Sequence, residues 1–487
     1  MTEETPDSDS QSTEGEPHTG QTHEAVERVR DSRERLAPAI GRAWTDDEPW
    51  RFLTDLTAIG SRMAGSEGER RAADLVADAF ERAGLRNVRT DSFGIAAWER
   101  GTAELYVTTP GRDGSQQTRS FEALALPYSP AGEMTGALVD VGYGTPEEVD
   151  AVDVEGRIAV ASTTTPADSR FVHRMEKFSY AIESGASGFV FVNHLDGQLP
   201  PTGSLTFGEE AEAPALGVSK ETGEWLREYA ANTPGPVASV EGAVDAETTP
   251  GESRNVIGRV GPDTDERVLL LAHYDAHDIA EGALDNGCGI ATVVTAAGIL
   301  AEAYEDDAAS LPIGVDVVAV GCEEIGLLGA EHLAETTTLE TVRGVVNADG
   351  AGRFRDLVAL THTSDAAASV ANAVSTATRH PIEVESEPHP FSDQWPFVRR
   401  GVPALQLHSD SGERGRGWGH THADTRDKVD DRSVREHAAL TALLVAEFAA
   451  VDRDPARLDP NALAAAFREA GFETGMRAAD LWPPEWD

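Results

Sequence analysis

The chain has 487 residues, of which 85 are Asp or Glu and 40 are Lys or Arg, giving a formal charge of −45. A 40% hydrophobic share is enough for a sizeable core and excludes a wholly disordered chain. A surface this anionic repels phosphate backbones, and no cluster of arginines offsets it, so a nucleic-acid role is excluded.

Residues 1–24 are rich in Thr, Ser, Glu, Asp, Gly and Pro and read as an acidic disordered tail, followed by a charged helix from Ala25. Together they form a first segment, 1–43. Apolar residues at helical spacing predict helices at Trp50–Ile59 and Glu67–Ala83, stopped by Gly60 and Gly84. They belong to a segment 44–101. From Thr102 to Glu252 the texture turns to short alternating runs split by Gly and Pro, with strands at 137–141, 157–161 and 188–192 and a helix at 175–184. This predicts a β-rich inserted module, 102–252. From 253 to 452, near-continuous apolar strands at 268–272, 315–321, 342–347, 357–361 and 404–408 alternate with helices at 286–304 and 327–335. Such alternation predicts an α/β fold with a mixed, largely parallel central sheet flanked by helices. Residues 453–487 form a C-terminal extension.

Only Lys177, Lys220 and Lys428 are lysines, and the carboxylates run the whole length of the chain. A solvated surface adapted to concentrated salt, as in a halophile, explains both features. The two cysteines, Cys288 and Cys322, cannot form a disulfide framework. No Lys or Arg precedes Arg28, no apolar stretch follows Met1, and the longest uncharged, largely apolar run, 287–301, is shorter than the about 20 residues a bilayer needs. The expectation is a cytoplasmic protein with no membrane partner.

Polar outliers collect just past the strand ends, where open α/β sheets place their sites. They are His273 and Asp275, then Asp285, Glu323 and Glu324, Asp349, Ser392 and Asp393, and the run from His420 to Asp424. Each alone is more often a helix cap or a satisfied strand end than a functional residue. Together they supply imidazole nitrogens and carboxylate oxygens, the donors suited to Zn²⁺ or Mn²⁺. One carboxylate can bridge two ions, and a pair about 3.5–4 Å apart polarises a carbonyl and activates water.

The ordered set His-x-Asp, Gly-Ala-x-Asp-Asn, Glu-Glu-x-Gly-Leu-x-Gly, Asn-x-Asp, Ser-Asp and His-Thr-x-x-Asp-Thr resembles the aminopeptidase Y type of co-catalytic zinc exopeptidases, in the broad family of the transferrin receptor and glutamate carboxypeptidase. The segment Arg62-Met63-Ala64-Gly65-Ser66 is similar to that family's N-terminal part. The 102–252 module resembles its inserted protease-associated domain, through 139–144, 156–159 and 185–188. The resemblance implies a metal-dependent aminopeptidase acting on peptides through two divalent ions, most simply Zn²⁺, with Co²⁺ or Mn²⁺ as substitutes. It implies that His273 and Asp349 bind one ion, that Glu324 and His420 bind the other, and that Asp285 bridges them. Glu323 is then the general base that takes a proton from the attacking water and passes it to the leaving amine. Asp275 orients His273, and the 285–286 peptide bond is expected to be cis. The spacing to Asp424 selects His420 over His422, while His389 and His408 read as pocket or surface residues. The module is expected to shape either substrate access or a homo-oligomer.

Two departures bear on the pocket. Gly419 stands where many relatives have a tyrosine that helps stabilise the tetrahedral intermediate, and Gln394 follows Ser392-Asp393 where relatives often have His. Two other readings compete. One is a carboxypeptidase or dipeptidase using the same ions, with Arg399, Arg400 and Arg414 as candidate partners for a substrate carboxylate. The other is a receptor-like or scaffold homologue without catalysis.

Overall fold

The computed structural model describes all residues except 1–18, 111–112, 114, 168, 232–237, 306–310, 413–416 and 451–454. Most of the expected acidic tail therefore lies outside the described residues. Its last part does not match the expectation, because a helix already spans Thr19–Thr45. The buried face of this helix carries Ala25, Val26, Val29, Leu36 and Ala39 into the main core. Tertiary packing of this face thus holds the charged helix expected from Ala25, which begins six residues earlier than expected.

The helix Glu67–Arg82 starts where the Ser66 side chain accepts from the Glu69 N–H, with Glu67 and Glu69 in its first turn. It ends at Gly84, whose φ of +84° suits a residue without a Cβ.

Four parallel strands form the centre of a ten-stranded sheet, in the spatial order Ala404–Asp410, Val342–Ala348, Arg267–His273 and Gly314–Val320. All seven residues of 314–320 are buried, as a strand covered on both faces requires. One face is covered mainly by the helices Cys288–Ala303 and Asp431–Phe448. The other is covered by Leu328–Thr336 and by the C-terminal segment, whose Phe467 and Trp486 pack on Trp395, with Trp482 against Trp486. Nothing in the residue pattern of 453–487 alone marks this extension as the cover of the core.

The strands Arg86–Pro110 and Ser239–Val260 were not foreseen as single elements. They pair antiparallel along nearly their whole lengths as a two-stranded ribbon. Between them lies the β-rich module. Its five-stranded sheet includes Ile158–Ser162, Gly188–Val192 and Ala215–Val218, and it carries the helices Arg174–Glu183 and Lys220–Ala231. The ribbon's register shifts between Arg100 and Ala103. Such a bulge re-aims the side chains next to it.

The helix expected from residue 286 begins at Cys288. Asp285 (φ −128°) and Asn286 (φ −126°) are non-helical, and the peptide bond between them is cis. Residues 283–303 taken together pass the length and apolarity test for crossing a membrane, but the regular helix covers only the 16 residues Cys288–Ala303. Its apolarity has another cause: 89% of the apolar window is buried inside the protein.

Candidate metal centre

His273 ends the 267–273 strand, Glu323 and Glu324 follow the 314–320 strand, and Asp349 follows the 342–348 strand. Parallel order brings these ends to one edge of the sheet. Asp285 and His420 join them from the two connecting loops. His273 Nε2 lies 3.7 Å from Asp285 Oδ1 and 3.8 Å from Asp349 Oδ1. His420 Nε2 lies 3.3 Å from Asp285 Oδ2 and 3.1 Å from Glu324 Oε2. Asp285 thus turns one oxygen toward each imidazole. The ligand-type atoms fall into two close groups, His273–Asp285–Asp349 and His277–Glu324–His420.

Side chains around these groups fix the loops. Arg62, fully buried, donates to the carbonyls of Tyr274 (2.9 Å), Glu281 (2.5 Å) and Gly282 (3.0 Å), stapling the loop between His273 and Asp285. Asp424 accepts from the N–H groups of Leu284 (2.6 Å) and Asp285 (3.1 Å). The Asn286 amide donates to Ala348 O and accepts from Gly350 N–H, bracketing Asp349. Asp275 accepts from both Glu323 N–H (3.1 Å) and Glu324 N–H (3.2 Å). Its carbonyl lies 3.2 Å, and its carboxylate 3.5 Å, from His273 Nδ1. Asp275 therefore orients two strand ends at once.

Among the described residues, buried polar atoms without a hydrogen-bond partner gather here: His273 Nε2, both nitrogens of His277, Glu324 Oε1 and both oxygens of Asp393. Orphaned donors and acceptors are costly unless something binds them, and an imidazole–carboxylate set fits a divalent ion. Electrostatics agree. Burial, with Asp349 and Asp393 nearby, pushes the Glu323 carboxyl well up against the opposing pull of His273. Burial would likewise raise Glu324, but His277 and His420 hold it well below the usual range. Burial disfavours the charged form of His273, yet Glu323 and its other carboxylate neighbours raise it well above an ordinary imidazole. Bound cations would supply the positive charge that protons otherwise bring.

A cavity of about 30 Å³ at this centre is lined by Glu323, Glu324, Asp285, Asp349 and His420, together with Arg174 and Ser204 from the module. It adjoins a cleft of about 440 Å³ between the module and the sheet edge, with His389, His408, Arg174, Arg353 and Phe391 in its wall. Of the other sequence-predicted candidates, His422 is exposed and outside the two groups. Cys288 and Cys322 are buried free thiols, and burial pushes Cys288 up to about 12. Arg399 and Arg400 instead pair with Glu331. Arg414 lies outside the described residues. Gln394 extends a side-chain chain, accepting from Asn347 and donating to Gln406, which in turn donates to Asp349 at 3.4 Å.

Three site residues escaped the sequence reading. His277 is four positions past His273, and its only signal was a His-x-Asp-x-His spacing. Arg353 Nη2 stands 3.3 Å from Asp285 Oδ1. Arg174 comes from the module, about a hundred residues away along the chain, and no local pattern could connect it to the centre.

Comparison with known proteins agrees with this geometry. Residues 255–445 match the model of peptidase family M28, and residues 134–226 match the PA domain. The chain is 26% identical over 411 residues to Aminopeptidase YwaD of Bacillus subtilis, covering 82% of this chain and 83% of that protein. It is 23% identical to mouse Carboxypeptidase Q, covering 81% and 84%. In fold it is similar to a Peptidase M28 precursor from Shewanella amazonensis (TM-score 0.72, 23% identity, 89% and 100% covered). It also resembles BSAP, a zinc aminopeptidase from Bacillus subtilis (TM-score 0.61, 23% identity, 83% and 94% covered). With the ligand order and the paired groups already in place, these matches identify a peptidase family M28 domain at 255–445 and a PA domain at 134–226, together a di-metal exopeptidase of the M28 type.

Proposed function

We propose that the protein is an aminopeptidase that removes N-terminal residues from peptides, with Zn²⁺ as the natural pair of ions. The observation that carries this reading is the carboxylate of Asp285 standing between the His273–Asp349 and Glu324–His420 pairs, with Glu323 lining the same cavity. His273, Asp285 and Asp349 would hold one ion, and Glu324, His420 and Asp285 the other. The ions, when bound, supply Lewis acidity toward the scissile carbonyl and lower the pKa of water. Glu323 accepts the proton of the attacking water and delivers it to the leaving amine. Asp275 holds the Glu323–Glu324 backbone so that the two carboxylates face opposite tasks. The remaining site carboxylates suit a free α-amino group, which restricts cleavage to the N-terminal residue. Arg174 and Arg353 supply positive charge in the cleft, in place of a tyrosine at position 419. The module, taken as residues 102–252, closes one side of the cleft and limits access to chain ends.

A second reading, carboxypeptidase or dipeptidase, draws on the same two guanidinium groups, because a substrate carboxylate could pair with either. The test is a panel of aminoacyl chromogenic substrates and N-blocked peptides, assayed in molar salt with and without chelator. Aminoacyl hydrolysis that chelator stops and Zn²⁺ restores is expected. Cleavage confined to N-blocked peptides would overturn the aminopeptidase reading.

A further inference from the structure

We propose that His277 is itself a ligand of the ion held by Glu324 and His420, so that the two halves of the centre are unequal. One half then has four protein donors, His277, Glu324, His420 and Asp285; the other has three, His273, Asp285 and Asp349. The inference rests on the di-metal reading above and adds a residue and an asymmetry to it.

Three observations carry it. First, His277 is buried (5% exposed), with Nε2 3.0 Å from Glu324 Oε2 and its ring edge-on to His420 at 4.5 Å between centroids. Second, neither ring nitrogen has a hydrogen bond of acceptable geometry, the Glu324 approach included. A buried imidazole with both nitrogens unpaired is expensive unless a lone pair is used.

Third, a chain of side chains outside the centre fixes the spacing of the two imidazoles. Asp278, the residue after His277, is gripped by Arg100 through Nη2 (2.6 Å to Oδ1) and Nε (2.9 Å to Oδ2). The same Arg100 donates to Thr202 Oγ1 at 3.1 Å. Thr202, in the module, then pairs reciprocally with His420. Its N–H donates to His420 O (2.9 Å), and its carbonyl faces His420 Nδ1 (3.2 Å). That carbonyl favours the tautomer with the proton on His420 Nδ1 and the lone pair on Nε2. Arg100 reaches both partners from the bulge in the ribbon. Both imidazoles thus hang from one truss, Asp278–Arg100–Thr202, which spans the peptidase sheet and the module.

Four donors, two of them imidazoles, make a more closed site than three, and one that favours Zn²⁺ or Co²⁺ over Mn²⁺. Metal binding tests this without reference to turnover. The holoprotein and H277Q are titrated with Zn²⁺ against a competing chelator, and X-ray absorption counts imidazoles on the zinc-loaded wild type. Expected are two ions of distinct affinity in the wild type, three imidazoles shared between them, and selective weakening of the tighter ion in H277Q by about 100-fold or more. Glutamine keeps a hydrogen-bonding group beside Glu324. H277Q binding both ions with wild-type affinities, or a count of two imidazoles per pair of ions, overturns the inference and leaves the di-metal reading intact. A wild type that takes up fewer than two ions overturns both. The absorption measurement stands even if the variant folds poorly.

Discussion

Glu323 and Glu324 are consecutive residues with opposite electrostatic settings. Burial and neighbouring carboxylates raise the first, while His277 and His420 hold the second down. Environments that pull two carboxyls apart separate a proton carrier from a ligand. Glu323→Gln should lower turnover by about 10²–10⁴-fold while both ions remain bound; metal analysis beside the kinetics checks both halves. Lys177, one of only three lysines, is fully buried and donates to Ser162 O (2.9 Å) and Thr164 O (2.6 Å). Burial lowers it from 10.5 to about 7. Between those values the unfolded chain holds a proton that the folded chain has released. The group therefore adds stability as pH rises through that window, by at most roughly 1.4 kcal/mol per unit, and costs stability below it. Lys177→Met should remove this slope, measured as the wild-type-minus-variant difference in urea unfolding at pH 7, 8 and 9.

At the scale of elements, the centre depends on loops that have no regular structure of their own. The loop between His273 and Asp285 keeps its shape because Arg62, from the segment just before the Glu67–Arg82 helix, occupies three of its carbonyls. Burial lowers Arg62 to about 10, so the guanidinium stays charged at neutral pH. Arg62→Met should cost on the order of 3 kcal/mol, because buried acceptors lose a charged donor. It should also weaken metal uptake, and differential scanning with metal titration would register both. The motif Arg62-Met63-Ala64-Gly65-Ser66 was visible in the sequence, but its task was not, because its partners lie more than two hundred residues away. The helix from Cys288 gives a related lesson. It was expected from residue 286, but Asp285 and Asn286 are non-helical and the regular helix begins at Cys288.

For the whole molecule, the dominant quantity is the charge of −45. The centre uses only a handful of the 85 carboxylates, so the excess lies elsewhere and repels itself at low ionic strength. With Lys177 buried, only two lysines remain for the surface. Raising KCl from 0.1 M to 3 M should raise the melting temperature markedly, whereas an equally osmotic neutral solute should not reproduce the full gain, since screening rather than exclusion is the main cause. Bound ions act in the same direction locally, so chelation should lower the melting temperature most at low salt.

The strands, most helices and the ordered set of candidate ligand residues were legible along the chain. Apolar periodicity reports burial directly, and His273, Asp285, Glu323, Glu324, Asp349 and His420 each follow a recognisable strand end or motif. Tertiary structure alone decided which side chains converge from afar. Arg174 and Thr202 arrive from the module on a two-stranded ribbon, Arg100 reaches inward from that ribbon's bulge, and the C-terminal segment seals the far face of the sheet. His277 stands between the two: its spacing from His273 is written in the sequence, yet a single histidine in a loop carries no sign of direction. Direction comes from Arg62 holding the loop and from Asp278 paired to Arg100, and such contacts between distant segments exist only once the chain has folded.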